Sequence, residues 1–459
     1  MRKLLIANRG EIAIRAARAA RELGITSVAM YSAEDRSALH RLIADEAYQI
    51  GEAGHPVRTY LDIPKIIDIA HRSGADAVYP GYGFLSESAV FAQAVIDAGL
   101  TWVGPTPETL ILTGDKVRGR ESAMRADVPV LSASGPVASL QEALAAAERI
   151  GYPVFVKASG GGGGRGLRKV ESAEEITNVF DVARREAAAA FGDDALFVEQ
   201  AVIRPRHVEV QVLADGEGNV VHLYERDCSV QRRHQKVVEI APAPGLPRAL
   251  VRRLCDDAVR FAREVNYKAA GTVEFLVWTD PEGRAPSHDS GYGYAFIEMN
   301  PRIQVEHTVT EEVTGIDLVL SQLRIARGET LADLGIAQEG ISVQRSAIQC
   351  RLTTEDPADD FRPATGTIVV YRSPGGPGVR LDGATYAGAD VTPFYDSLLV
   401  KLTTSGADFT SAARRARRAL SEFQVRGVAT NVSFLRALLS EPDFLAGELT
   451  TAFLDEHPS

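Results

Sequence analysis

Phe296-Ile297-Glu298-Met299-Asn300-Pro301-Arg302-Ile303-Gln304-Val305-Glu306-His307 is the densest stretch of chemistry in the chain. Its even positions from 298 to 306 are Glu, Asn, Arg, Gln and Glu, whereas 297, 299, 303 and 305 are apolar. Side chains alternate faces along an extended strand, so the pattern predicts a polar set on one face, with Pro301 bending the register. A solvated edge strand shows the same alternation, but seldom with this mixture beside Met and Pro. Upstream, residues 271–277 (GTVEFLV) form an apolar strand with one carboxylate, Glu274, which is costly to bury unpaired. Glu274, Glu298 and Asn300 supply hard oxygen ligands of the kind Mg²⁺ takes together with phosphate oxygens and water. The combination predicts a Mg-nucleotide site built on antiparallel strands.

A second signal lies N-terminal to it. The strand-like run Val154-Phe155-Val156-Lys157 leads into Ser159-Gly160-Gly161-Gly162-Gly163-Gly164-Arg165-Gly166, and Leu167-Arg168-Lys169-Val170 reads as the next strand. Glycines 161, 163 and 166 match G-x-G-x-x-G, yet no helix start follows and the G-K-[ST] ending of a P-loop is missing. The prediction is a hairpin whose unobstructed N–H groups fold over phosphates. An inert surface hairpin is the alternative, although so many glycines cost backbone entropy that a plain turn does not require. Lys157 ends the preceding strand within reach of a phosphate. Residues 225–236 (ERDCSVQRRHQK) are rich in hydrogen-bond donors, and a salt-bridged sheet surface is the competing reading.

Working outward, residues 3–8, 11–23 and 27–31 read as strand, helix and strand. The rhythm repeats with helices at 61–71 and 87–98 and strands at 76–79 and 101–103, which predicts a parallel sheet covered by helices over residues 1–113. The first turn, Asn8-Arg9-Gly10-Glu11, has one glycine, so it does not support dinucleotide binding and is assigned to packing. Segments 208–213, 220–224, 272–278 and 295–300 are expected as antiparallel strands, with the hairpin turn ADGEGN at 214–219. Beyond 340, strands at 348–352, 367–371 and 397–402 accompany a basic helix at 411–423.

A length of 459 residues fits about three domains. Lys plus Arg number 50 and Asp plus Glu 61, a formal charge of −11, which argues against a nucleic-acid binder with a broad cationic surface. No apolar run approaches the roughly 18 residues of a membrane span, and the N-terminus turns charged too quickly for a secretory signal. Cys228, Cys255 and Cys350 form no C-x-x-C pair, so neither a disulfide framework nor a zinc site is expected. These readings predict a cytoplasmic protein.

The runs KASGGGGGRG (157–166), RDCSVQRRHQK (226–236), GTVEFL (271–276) and EMNPRIQVEH (298–307) closely resemble the biotin carboxylase component of biotin-dependent carboxylases, an ATP-grasp fold. ANRGEIAIR (7–15) and YPGYGFLSE (79–87) resemble its N-terminal domain. LTTEDP (352–357), TPFYDSLLVKL (392–402) and RGVATNVSFL (426–435) are most similar to the pyruvate carboxylases, with subunits of acetyl- or propionyl-CoA carboxylases as the alternative. The resemblance implies an α/β (α+β) chain of three parts. These are a doubly wound pre-ATP-grasp domain (1–113), an ATP-grasp domain (114–335) with a mobile glycine-rich lid at about 131–203, and a biotin carboxylase C-terminal domain (336–459).

The activity so implied is an ATP-dependent ligase reaction, carboxylation of biotin with bicarbonate through carboxyphosphate. Its requirements are ATP, Mg²⁺ or Mn²⁺, and biotin carried on another domain or subunit, since no A-M-K-M motif occurs. By the same resemblance Lys116, Lys157, His207, Gln231 and His234 contact ATP, Glu199 and Val202 flank adenine, and Gly161, Gly162, Gly163, Gly164 and Gly166 close over the phosphates. Glu274, Glu298 and Asn300 form the metal site, and Lys236, Arg302, Gln304, Val305 and Glu306 the bicarbonate site. Arg351 and Tyr82 meet biotin. Glu306, Arg302, Lys236 and Arg351 are the expected catalytic groups. Implied partners are a biotinyl carrier, a carboxyltransferase and further copies of the chain. A carboxylate-amine ligase and a non-catalytic nucleotide-binding module are the remaining alternatives. The chain departs from the pattern by an insertion, residues 279–290, expected as an exposed loop.

Overall fold

The computed structural model describes residues 1–158, 167–192, 194–279, 288–289 and 291–457. The expected phosphate hairpin, with Gly161, Gly162, Gly163, Gly164 and Gly166, and nearly all of the insertion lie outside the described residues.

The N-terminal region forms a five-stranded parallel sheet in the order Glu46–Gln49, Thr26–Tyr31, Lys3–Ile6, Ala77–Tyr79, Thr101–Trp102. The first of these was not anticipated, because EAYQ has no apolar run and sits half-buried at the edge. Helix Gly10–Glu22 presents Ile12, Ala13, Ala16, Ala17, Ala19 and Ala20 to a core that also contains Leu318, Leu323 and Ile325. Small alanines let this helix lie close to the helix Leu318–Ala326, which joins the N-terminal region to the next.

The centre of the molecule is a nine-stranded antiparallel sheet. Its spatial order is His288–Asp289, Tyr292–Asn300, Ala269–Thr279, Arg206–Ala214, Val220–Arg232, Gln235–Ala241, Ser346–Thr353, Leu398–Gly406, Val379–Gly383. The four strands expected between 208 and 300 are all present. The C-terminal strands, read in the sequence as a third region, continue this same sheet beyond Gln235–Ala241. Val238, Ile240, Ile348, Cys350, Leu352, Val400 and Leu402 share one core, covered by helix Phe409–Glu422. A smaller sheet, Leu167–Val170, Val154–Ala158, Leu196–Gln200, has its own core with the helices Leu140–Ile150 and Ala173–Phe191.

Two strand expectations are corrected. The alternation at 298–306 does not continue as strand: the ladder ends at the pair Thr272 and Asn300, after which Pro301 has no N–H to donate. Residues 301–305 form an irregular turn, and Glu306 stands at the N-cap of helix His307–Thr314. The run 367–371 is split, since Gly366–Thr367 pairs with Asp390–Val391 while Val370–Arg372 pairs with Gln424–Arg426. Among the described residues no helix is long and apolar enough to cross a membrane.

Candidate active site

The strand register sets Glu209 opposite Glu274 and Glu274 opposite Glu298. Three carboxylates in directly paired positions repel one another, so their stability depends on interposed cations. The Lys236 ammonium is the main one: it contacts Glu209, lies 3.2 Å from Glu274 and 2.7 Å from Glu306. His207 Nε2 is 2.9 Å from Glu274 Oε2, and Gln231 Nε2 is 2.8 Å from His207 Nδ1. Lys116 Nζ is 3.7 Å from Glu298. Asn300 and Gln304 both donate amide hydrogens to Glu274 Oε1, at 2.7 and 2.9 Å.

Burial works against every charge in this row, and the neighbours decide each outcome. Glu209 is held at about 2 despite its burial, by Lys236 and Arg226. Glu274 lies well below the ordinary carboxylate range because Lys236 and His207 outweigh burial. His207 rises to about 9 against burial, through Glu274 and Glu209. Glu298 alone is raised, first by burial and then by the charge of Glu274, with Lys116 opposing. That residual repulsion between Glu274 and Glu298 is what a divalent cation relieves, and two carboxylates beside Asn300 are an oxygen set suited to Mg²⁺ or Mn²⁺. His207, Glu209 and Glu274 also converge within 4.8 Å, but Lys236 and Arg226 already neutralise that group.

Beyond Pro301 the turn brings Arg302, Gln304, Val305 and Glu306 to a cleft of about 420 Å³, while Ile303 packs into the core of the N-terminal region. Tyr82, His234, Lys236, Arg302, Gln304, Val305, Glu306 and Arg351 all line it, so every expected bicarbonate and biotin residue meets there. Glu306 forms no capping hydrogen bond to its helix. Its two oxygens instead face Lys236 at 2.7 Å and Arg351 at 3.0 Å, and these cations with Arg226 hold it at about 2 in spite of burial. Arg302 is held by Glu87 at 2.5 Å and donates to Asn300 Oδ1 at 2.9 Å. His234 enters the cleft from a two-residue hairpin loop in which Arg233 (φ 50°) and His234 (φ 64°) are both left-handed, as a type I′ turn requires.

Lys116, Lys157 and Glu199 line a separate slot of about 300 Å³ in which Met124, Leu131, Phe197 and Ile297 alternate with the charged groups of Arg120 and Glu121. Lys157 and Glu199 are themselves paired. Val202 is half-buried just past the strand Leu196–Gln200. Among the described residues expected around ATP, Lys116, Lys157 and Glu199 line the slot, His207 and Gln231 join the carboxylate row, His234 lines the cleft, and Val202 lines neither cavity. A larger groove of about 610 Å³, bordered by Arg414, Arg417, Arg418 and Arg436, holds none of these groups.

Sequence reasoning overlooked Glu209, Arg226, Glu239 and Glu87. Arg226 is wholly buried and donates to Glu209 (2.8 Å), Gln211 (2.9 Å), Thr272 (2.9 Å), Thr310 (3.3 Å) and Gln304. Glu239 accepts from Arg351 Nε at 2.6 Å and from Gln349 at 2.8 Å. A signal existed for one of them: His207, Glu209 and Gln211 alternate with Val208, Val210 and Val212, a polar face of period two.

Residues 1–110 match the family model for the biotin carboxylase N-terminal domain and 349–456 that for its C-terminal domain. Residues 115–334 match the ATP-binding domain of the carbamoyl-phosphate synthase L chain. The biotin carboxylase domain of Hydrogenobacter thermophilus 2-oxoglutarate carboxylase, solved as a dimer with MgADP, ADP and bicarbonate, is 44% identical with a TM-score of 0.94, covering 100% of this chain and 98% of that one. This chain belongs to the biotin carboxylase family. Campylobacter jejuni biotin carboxylase is 40% identical with a TM-score of 0.94, covering 99% of both chains. Pyruvate carboxylase of Aspergillus niger is 53% identical over 460 residues, which covers 99% of this biotin carboxylase chain and 38% of the relative. The chain thus spans well under half the length of the curated relatives it matches. The three-part architecture with a central ATP-grasp domain, expected from the motifs, is the one it has.

Proposed function

We propose that the chain carboxylates biotin with bicarbonate at the expense of ATP, as the first half-reaction of a pyruvate carboxylase. The observation that carries the reading is Glu306: a buried carboxylate held between Lys236 and Arg351, in one cleft with Arg302, Gln304 and Tyr82. Arg302 and Lys236 are cations suited to hold bicarbonate. An anion entering there competes for Lys236, and that competition raises the basicity of Glu306 toward what a general base needs. Glu306 then takes the bicarbonate proton as the bicarbonate oxygen attacks the γ-phosphorus and ADP leaves. Carboxyphosphate breaks down to CO₂ and phosphate, phosphate removes the N1 proton of biotin, and the biotin enolate attacks CO₂, with Arg351 offsetting the charge on its ureido oxygen. Glu274, Glu298 and Asn300 would hold a divalent cation, which supplies charge neutralisation on the phosphoryl oxygens.

Lys116, Lys157, Glu199, Val202, His207, Gln231 and His234 are assigned to ATP within this proposal, and the glycines 161–166 to its phosphates. Residues of about 131–203 act as the lid, supported by the separate core of the smaller sheet. The carboxyl acceptor is a biotinyl carrier serving a carboxyltransferase, in a homo-oligomer located in the cytoplasm. Supplied with ATP, Mg²⁺ and free biotin, the folded protein should show ATP turnover that depends on bicarbonate, and its absence sinks the reading. Arg351→Ala should lower biotin carboxylation by about 10²- to 10³-fold, and biotin-independent ATP cleavage by much less. An equal loss in both assays contradicts the enolate role.

A further inference from the structure

Lys401 lies within the strand Leu398–Gly406 with its side chain wholly buried. Its ammonium touches groups from two distant parts of the chain: Glu11 Oε1 at 2.9 Å and the carbonyl oxygen of Val305 at 3.0 Å. Glu11 belongs to the first turn of helix Gly10–Glu22, and its Oε1 also accepts the Tyr82 hydroxyl. The ammonium is 5.9 Å from the centroid of the Tyr82 ring. Lys401 itself is not among the residues lining the cleft, whereas Val305, Glu306 and Tyr82 are. Its strand partner Asp382 is engaged by Arg380 at 2.8 Å, and neighbouring His307 by the Gln304 carbonyl at 2.7 Å.

Packing does not require this ammonium. Val400 and Leu402 on the same strand supply its core contacts, and burying an ammonium costs several kcal/mol before its partners compensate. What an ammonium does here, and an apolar chain of equal length cannot, is neutralise Glu11 while donating to Val305. The peptide plane that carries the Val305 carbonyl also carries the Glu306 N–H, so fixing that oxygen fixes the orientation of the plane from which Glu306 departs.

We infer that Lys401 is a positioning residue: with Glu11 it forms one buried joint that sets both the bicarbonate-facing turn (Val305, Glu306) and the biotin-facing Tyr82. The inference rests on the proposed function above, and it explains how the first helix and the C-terminal strands constrain a site whose reactive groups lie between them. The first-turn segment Asn8-Arg9-Gly10-Glu11, assigned from sequence to packing, gains a role through this joint. Asn8 extends it, donating to the Tyr82 carbonyl at 2.8 Å.

The test is steady-state ATP cleavage without biotin, at varied bicarbonate and varied ATP, for wild type, K401M, K401R and E11Q, followed by varied free biotin. K401M should raise the bicarbonate KM by about tenfold or more while the ATP KM stays within about twofold. K401R, which keeps a buried cation and donors, should recover most of that loss. E11Q should raise the KM for free biotin, because Tyr82 then lacks its ionic anchor. Equal changes in the ATP and bicarbonate KM, or an unchanged bicarbonate KM in K401M, overturn the inference. If K401M does not fold, E11Q with unchanged KM for both bicarbonate and biotin does so. Wild-type protein without bicarbonate-dependent cleavage removes the functional reading instead, which keeps the two failures distinct.

Discussion

Glu306→Gln should lose bicarbonate-dependent ATP cleavage by about 10²- to 10⁴-fold and should bind ATP with unchanged affinity. The amide is nearly isosteric, but only its one oxygen can accept from Lys236 or Arg351, its NH₂ group facing the other cation, and it cannot accept the bicarbonate proton. ATP affinity should be spared because Lys116, Lys157 and Glu199 line a different slot and Glu306 makes no hydrogen bond to His234, the one described residue assigned to ATP that shares its cleft. Before substrate arrives, Glu306 is held at about 2 by Lys236, Arg351 and Arg226 against its own burial. It is therefore fully ionised at neutral pH and a weak base until a substrate anion draws those cations away. Isothermal titration with ATP, alongside a bicarbonate-dependent phosphate-release assay, separates the two effects. Loss of ATP binding in the variant would contradict the assignment, as would retained bicarbonate-dependent turnover.

Arg226→Met should destabilise the central sheet by about 3–5 kcal/mol, the range for removing one partner of a buried ion pair. The guanidinium is 0% exposed and holds Glu209 together with Gln211, Thr272, Thr310 and Gln304. Methionine fills much of the volume, yet Glu209 keeps a buried charge with Lys236 and His207 as its remaining cationic neighbours. The amide oxygen of Gln304 loses its buried donor as well. A chain of three parts does not melt in one step, so the quantity to follow is the transition of the central region by scanning calorimetry, which should fall by several degrees. Activity should fall too, since Gln304 lines the cleft proposed to bind bicarbonate. A variant melting and turning over like wild type would show that the network is dispensable.

The contrast between these two residues tells how far the sequence could be read. Glu306 was legible because it shares one twelve-residue stretch with Glu298, Asn300, Arg302 and Gln304, and so dense a polar set declares a site locally, although the common strand face expected for it ends at Asn300. Arg226 was not singled out: it stands in a donor-rich segment for which a salt-bridged surface was an equally physical reading, and only the folded sheet shows it wholly buried with five partners. Glu209 had a local signal in the alternation of 207–212, which became meaningful only once strand register set it against Glu274. Lys401 had none, because its partners Glu11 and Val305 come from remote parts of the chain.

By itself the sequence determined most of the strands and the family, and it brought forward the polar residues of 298–306 as a candidate site, since each follows from local pattern and side-chain chemistry. Tertiary structure alone decided that the C-terminal strands extend the central sheet, that the alternation of 298–306 breaks into a turn after Asn300, and which carboxylates are held ionised. The physical reason is that charge interactions depend on distance and burial, and both are set by the register of strands and helices far apart in the chain.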